Sequence, residues 1–389
     1  MQTAPTYTPP VRRRAVSATR DYELLDTAIE QFDAGDHAAA VHSVFQHLNL
    51  PVDLEAGGAF SQGSSRVTAR IADRAFALTV PVVKLPVGGA AIAALRYILT
   101  RINSTGQLYQ ARLHGDDVML EFHERLSALH PRKLVEVLRR MPVEADSHDD
   151  WMIKEFGCAP LERAPIQELD DTEAASAIEI WAAHWASVEE LLKEVQRKRS
   201  MWFLGEVTSY AHQRIRYLLP LGGSLLPRLN EAVNTFNDSD EDPSKREAAL
   251  GKFLKEMKAV SPAELRANLG HAELAISPLA EGTPRKISEF FAPGNYMEQI
   301  DKARTTGQSI DAGIALVGTY YYLLATATWP EEVEQVLQQG IALTSGKPWR
   351  DAANALFAHA KHLAEEYGSD EDEDDEDDED EDDEETTDE

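Results

Sequence analysis

The sequence of 389 residues has only one cysteine, Cys158, so no disulfide can form within the chain. Structural disulfides belong to oxidising compartments, and nothing in this sequence indicates such a compartment. Its N-terminal stretch, residues 1–19, is polar and rich in proline, and no apolar segment follows its arginines, so a secretory signal is not expected. The longest uncharged apolar stretch, Gly313 to Trp329, is shorter than the roughly 20 residues that a membrane-spanning helix needs. We therefore expect a soluble, cytoplasmic protein that does not cross a membrane.

Motifs for phosphate binding, nucleophilic catalysis and metal binding are also missing. The Gly222-Gly223-Ser224 and Gly88-Gly89 turns lack the lysine with which a P-loop reaches a phosphate. Neither the G-x-S-x-G motif nor H-E-x-x-H occurs. Zinc needs three or four convergent ligands, and the histidines do not provide them on one helix face. The sequence therefore predicts no cofactor and no metal site.

Acidic residues are abundant, and they are concentrated at the C-terminus. Residues 370–389 consist of eighteen carboxylates and two threonines. Such a segment has nothing apolar to bury, so a disordered tail is predicted over 369–389. It carries 18 of the 29 net negative charges, which leaves a mildly acidic body that is not expected to bind nucleic acid. The tail either keeps the protein soluble or contacts a basic surface of a partner, through carboxylates such as Asp370, Asp374 and Asp378.

Hydrophobic periodicity divides the rest of the chain into two domains. Alternation over Val67–Ile71 and Phe76–Val80 predicts one β-hairpin, and alternation over Leu108–Leu113 and Val118–His123 predicts a second. Helical spacing separates and flanks these hairpins, and the last helix, from Pro131, closes the unit near residue 146. We therefore predict an α+β domain over 20–150, with an antiparallel sheet covered by helices on one face.

Beyond a linker at 151–171 that contains several prolines, the strand pattern fades. Thr172–Arg199 has the apolar stripe of a long amphipathic helix, with Trp181 and Trp185 on it. Further helical segments follow as far as residue 368, and one of them is predicted over Ser288–Arg304. We therefore predict an all-α domain over 172–368, between the linker and the acidic tail, and a disordered N-terminus over 1–19.

The predicted first domain resembles the type III secretion chaperones and the related YbjN-like proteins. The resemblance rests on Tyr22–Met152, about a third of the chain. It is carried by apolar and turn residues at matching places along the chain, namely Val80-Pro81-Val82, Ala94-Leu95 through Leu99 to Asn103, Gly106, Gly115, and Leu134 through Leu138 before Trp151. Nothing in those families resembles the helical half or the tail.

This resemblance implies a small α+β module without a catalytic centre, which forms homodimers and binds an extended segment of a client protein. The helix with the Leu-rich face often lies in the dimer interface of these families. Here that helix offers small residues for close packing and larger ones for apolar area, among them Ala91, Leu95 and Ile98. We therefore predict a non-enzymatic chaperone or adaptor that binds a client or partner protein, with these residues in a contact surface.

Two alternatives stay open at this stage. Arg266 and His271 form an R-x4-H spacing that resembles the signature of HEPN ribonucleases, in which the arginine would hold the scissile phosphate and the histidine would assist the 2′-hydroxyl. The helical domain would then be a nuclease or another enzyme acting on nucleic acid. The other alternative is a structural component of a larger assembly, whose two domains only supply interfaces.

Overall fold

The computed structural model describes residues 3–12, 21–103, 107–237, 241–277 and 279–368. Its first elements are α1 (Tyr22–Asp33), α2 (His37–His47), β1 (Gly58–Gln62), β2 (Ser65–Ala72), β3 (Ala75–Lys84), α3 (Gly89–Tyr97) with a π-helical turn (Ile98–Ile102), β4 (Gln110–His114), β5 (Asp117–Arg125), α4 (Pro131–Phe156) and β6 (Ala159–Pro160). Its later elements are α5 (Asp171–Lys198), α6 (Met201–Leu218), α7 (Leu225–Asn237), α8 (Pro243–Ala259), α9 (Pro262–Ala267), β7 (Ala280–Glu281), α10 (Pro284–Phe291), α11 (Asn295–Thr305), α12 (Ser309–Thr326), β8 (Ala327–Thr328), α13 (Glu331–Ala342) and α14 (Trp349–Gly368). An antiparallel sheet with helices is thus followed by a helical region, which confirms the predicted fold class.

The first five strands form an antiparallel sheet in the order β1-β2-β3-β5-β4, and β6 pairs with the end of β3. Both predicted hairpins are present, as β2–β3 and β4–β5. The β2–β3 turn places Asp73 and Arg74 at positive φ, 52° and 60°, which is the backbone twist of a two-residue hairpin turn. β1 and β6 were not predicted, because a short strand beside glycines or prolines has no clear alternation.

One face of this sheet is buried and the other is open. Along β2 the side chains of Val67 and Ala69 are buried, while the side chains of Arg66, Thr68 and Arg70 between them are exposed. Helix α4 packs on β1, β2, β3 and β5 at the buried face, and α1 and α2 pack on α4. Alternation of period two therefore predicted the core correctly, because each strand has one face toward the helices.

Helix α4 extends beyond its predicted end near residue 146, through Pro142 to Phe156. A proline inside a helix removes one hydrogen bond and costs ~3 kcal/mol or more. Here the apolar face continues past it, and Met141, Ala145 and Met152 are all buried. Burial of that face offsets the cost, so the prediction of a linker beginning at residue 151 was wrong. Gly157, in the left-handed conformation, ends the helix.

The later helices follow their predicted positions with two differences. The predicted helix Ser288–Arg304 is divided into α10 and α11, because residues 292–294 between them are not helical. The six-residue helix α9 was not predicted, since it is too short to show a periodic pattern.

The predicted disorder of residues 1–19 was wrong for residues 3–12. The N–H of Ala4 donates to the carbonyl of Lys347, and the N–H of Val11 donates to the carbonyl of Leu218. These hydrogen bonds hold an extended strand-like segment that has no periodic pattern of its own. Residues 13–20, like the tail after 368, lie outside the described part of the chain.

Backbone contacts divide the chain into two compact units whose boundaries differ from those predicted. The larger unit combines residues 9–186 and 215–280. It contains the sheet, α1–α4, α7–α9 and the first half of α5. The smaller unit combines residues 1–8, 187–214 and 281–389, and its centre is α12, which is buried along nearly its whole length.

Candidate binding cleft

A cleft of about 2110 Å³ opens within the larger unit. One wall is the C-terminal half of α4, and a second is formed by α7, the loop before it and the segment 267–277 after α9. The β1–β2 turn, the π-helical turn and the segment 163–169 complete the lining. Both walls therefore come from chain segments far apart in sequence.

Helix α4 supplies three carboxylates to this region. Asp146, Asp149 and Asp150 are spaced i, i+3 and i+4, so they lie on the same side of the helix. The guanidinium of Arg163 reaches two of them, with Nη2 2.8 Å from Oδ1 of Asp150 and 3.2 Å from Oδ2 of Asp149. This ion pair joins the segment after β6 to α4.

The same carboxylates hold the β1–β2 turn through Ser64. Its backbone N–H donates to Oδ1 of Asp146 at 2.5 Å. Its Oγ lies 2.8 Å from that oxygen and 2.6 Å from Oδ2 of Asp149. Burial raises the pKa of Asp149 to about 7, against the lowering effect of the Arg163 charge. Asp149 is only 3% exposed, so its carboxyl group contacts its protein neighbours rather than solvent.

The residue before Ser64 must be a glycine. Gly63 has a φ of +60°, and a Cβ there would lie 2.1 Å from the carboxylate oxygens of Asp146. From the other side, Nε2 of Gln62 donates to the carbonyl of Ile276, and its Oε1 accepts the N–H of Ile276, both at 2.9 Å. The acidic cluster and this amide together hold the β1–β2 turn in place beside the cleft.

An aromatic group lies beside the acidic cluster. The rings of Tyr97 and Trp151 are stacked, with their centroids 4.4 Å apart. The hydroxyl of Tyr97 lies 2.8 Å from Nδ1 of His148. Burial and the charge of Arg101 lower the pKa of His148 to about 4, so its imidazole is neutral at physiological pH. This part of the lining is apolar except for Tyr97 and His148, whose polar atoms are uncharged and hydrogen-bonded to each other.

The glycine-rich loop before α7 is held by an asparagine. The amide oxygen of Asn268 accepts hydrogen bonds from the N–H of Leu225 and the hydroxyl of Ser224, both at 3.2 Å. Gly223 has a φ of +54°, and a Cβ there would lie 2.5 Å from that amide oxygen. Asn268 therefore accepts a hydrogen bond from the backbone N–H at the start of α7, which is the place where a phosphate would bind in a P-loop.

Arg266 and His271 both line the cleft, but they lie on different kinds of structure. Arg266 is on α9, which ends at Ala267, and His271 follows in an extended segment. Nη2 of Arg266 lies 2.8 Å from Oδ1 of Asp171, and Nε2 of His271 lies 3.7 Å from Oε1 of Glu173. Both side chains thus face carboxylates at the start of α5.

The residues predicted for self-association, Ala91, Leu95 and Ile98, are spaced i, i+4 and i+7 and lie on the face of their helix that packs against the core. Ile98 is 4% exposed and belongs to the core, while Ala91 and Leu95 are half-buried and pack against that core. The apolar side chains that reach solvent are Ile92 and Leu99, which are 56% and 63% exposed. They are seven residues apart, so they share one face.

The remaining predictions concern the tail, metals and membranes. Asp370, Asp374 and Asp378 lie outside the described residues. Within the part of the chain that the structure describes, no group of three or more histidine, cysteine or carboxylate side chains is arranged to hold a metal ion. None of the described helices is long and apolar enough to cross a bilayer.

Sequence reasoning missed most of the cleft lining. Asp146, Asp149 and Asp150 fall where a helix end was predicted, and no motif links them to Ser64 or Arg163. Their i, i+3, i+4 spacing would have shown a shared face once α4 was extended through Pro142.

No protein-family model matches the sequence, and no curated protein matches it at a significant level. The function must therefore be argued from the cleft.

Proposed function

We propose that this chain is a non-enzymatic chaperone or adaptor whose cleft holds an extended segment of a partner protein. The observation that carries this proposal is the size of the cleft. Pockets for small ligands have volumes of ~300–1,000 Å³, whereas this cleft measures about 2110 Å³. An extended peptide needs a long, open channel that contacts alternate side chains.

The lining suits recognition by shape and hydrogen bonding. Tyr97 and Trp151 offer a flat apolar surface, and Leu219, Leu221 and Leu226 add aliphatic contacts. Aromatic residues contribute large contact areas at low entropic cost in binding sites. A peptide segment of mixed sequence would find apolar and polar partners along the same channel.

Several titratable groups of the cleft are engaged with one another. His148 is hydrogen-bonded and neutral, and Arg266 and Arg163 are paired with carboxylates. A general acid or base needs a pKa near the working pH and access to a substrate. Asp149, whose pKa is near neutrality, is buried against Ser64 and Arg163. These features support binding rather than catalysis.

The test is site-specific photo-crosslinking of the full chain in its native host. A benzophenone amino acid replaces Asn234, which is exposed and lines the cleft. The matched control places it at Arg139, which is exposed on α4 and does not line the cleft. We expect an adduct at position 234 only, in which the label maps to one linear segment of one partner protein.

A synthetic peptide of that segment should then bind the purified full chain with one-to-one stoichiometry. Gly222→Phe should abolish this binding, because Gly222 lines the cleft and a Cβ there meets no atom within 4 Å, so the ring can fill the channel without disturbing the fold. Gly89→Phe, at an equally open position outside the cleft, should leave it unchanged. Adducts that map to several surface regions of folded proteins, or equal adducts at both positions, would instead support a structural role.

A further inference from the structure

Arg216 differs from three other cationic side chains that line the cleft. Lys154, Arg163 and Arg266 each lie within ion-pair distance of a carboxylate, at 3.4, 2.8 and 2.8 Å. Arg216 is half-buried in the last turn of α6, and within the described part of the chain its guanidinium has no hydrogen bond and no ion pair. A guanidinium that is partly removed from water without a counter-charge is energetically unfavourable.

A second arginine increases this cost. The N–H groups of Val11 and Arg12 donate to the carbonyl of Leu218, at 2.9 and 3.4 Å, which brings Arg12 to the C-terminal end of α6 and to the lining of the cleft. Burial and the nearby charge of Arg12 lower the pKa of Arg216. No carboxylate contributes to that shift, so the charge of Arg216 is not compensated.

Stabilisation of the helix dipole does not account for this pair. A cation near a helix C-terminus typically contributes ~0.3–1 kcal/mol. At the end of α6 the carbonyl of Leu218 already accepts two N–H groups, and a second guanidinium adds repulsion. Arg101, which also lines the cleft, likewise forms no ion pair with the described residues. This part of the cleft therefore has unused capacity to bind an anion.

We propose that Arg216 forms a subsite for a carboxylate side chain of the bound segment. The proposal rests on the proposed function, because it assigns the chemistry of the partner segment. A planar guanidinium pairs with a carboxylate through two parallel hydrogen bonds. A single negative charge fits this cleft better than a dianionic phosphate, because Asp150, Glu231 and Glu273 also line it and would repel additional charge.

The first experiment measures arginine reactivity in the full-length protein. Phenylglyoxal adducts at Arg216 are followed by mass spectrometry, with Arg139 as the exposed control outside the cleft. The probes are three capped pentapeptides of alanine with a central glutamate, glutamine or phosphoserine, at equal ionic strength. We expect the glutamate peptide to slow modification of Arg216 about tenfold at saturation, consistent with a charge-assisted pair of ~1.4 kcal/mol or more, and to leave Arg139 unchanged.

Several results would overturn the proposal. They are absence of protection up to the solubility limit, equal protection by the glutamine peptide, equal slowing at Arg139, or stronger protection by the phosphoserine peptide, which would assign the subsite to phosphate.

A second experiment uses the segment identified by crosslinking at position 234. Arg216→Gln should weaken binding of that segment about tenfold, and the effect should vanish when its acidic residue is replaced by the amide. Arg139→Gln, with the same change in net charge, should have no effect. If no segment crosslinks, the proposed function fails, whereas a segment that binds independently of Arg216 contradicts only the carboxylate subsite.

Discussion

The Oγ of Ser64 lies 2.6 Å from Oδ2 of Asp149, and the same Oγ lies 2.8 Å from Oδ1 of Asp146. A hydroxyl has one proton to donate, so it cannot serve two ionised carboxylates. Burial raises the pKa of both carboxyls, against the lowering effects of the hydrogen bonds from Ser64 and of the Arg163 charge. The arrangement therefore fits one protonated carboxyl in this pair, and the pKa of about 7 assigns the proton to Asp149 below neutral pH.

This proton makes stability depend on pH in an unusual direction. The pKa of Asp149 is about 7 in the folded protein and 3.8 in the unfolded chain. The contribution of this group to stability is therefore fully present below pH 4 and is lost as the pH rises to 7. Asp149→Asn remains neutral throughout. We expect the free energy of unfolding of this variant, relative to the parent, to increase by up to ~4 kcal/mol between pH 4 and pH 8, measured by denaturant titration.

Comparison with the parent removes the opposing effect of His148. Its pKa is lowered to about 4, so its contribution is present above pH 6.5 and is lost on acidification, equally in both proteins. Parallel stability curves for parent and variant, or a relative gain of the variant at low pH, would show that Asp149 is ionised in the fold.

Gly63 offers a steric test of the same cluster. Gly63→Ala forces a Cβ against the carboxylate of Asp146, which Ser64 holds in place, at a φ of +60°. Gly115→Ala is the matched control, because its φ is +65° and a Cβ there meets no atom within 4 Å. Gly115→Ala should cost ~1 kcal/mol from the backbone alone, and Gly63→Ala ~1–3 kcal/mol more, by thermal or denaturant unfolding. Equal losses would mean that the cluster adjusts freely.

The sequence predicted the architecture far better than the cleft. The β2–β3 and β4–β5 hairpins were predicted because each strand has one buried face. Apolar and polar residues therefore alternate along the strand, and this pattern is visible in the sequence. The cleft depends on contacts between distant segments, such as Gln62 with Ile276 and Ser64 with Asp149. Polar residues in such contacts have no periodic spacing. Pro142 also led to a helix end being predicted just where α4 continues into the site.

Self-association through α3 stays a prediction, and the structure sharpens its test. Leu99 is the most exposed large apolar residue on this helix and its π-helical turn, so Leu99→Glu should disrupt a homodimer that uses this face. Leu343→Glu, at another exposed leucine, is the control. We expect light scattering to give twice the chain mass of 43.2 kDa for the parent and Leu343→Glu, and a single chain mass for Leu99→Glu. A parent that remains at 43.2 kDa over a wide concentration range would exclude the dimer.

The nuclease alternative depends on Arg266 and His271 acting together on a phosphate. In the structure a phosphate would compete with Asp171 for the guanidinium of Arg266 and with Glu173 for the imidazole of His271. We therefore expect no cleavage of single-stranded RNA by the purified parent chain. We also expect Arg266→Ala to lower stability by less than ~1 kcal/mol, since its ion pair is exposed, and the double variant with His271→Ala to be as inactive toward RNA as the parent. Cleavage by the parent that disappears in the double variant would reverse this conclusion, because contaminating nucleases would persist in both preparations.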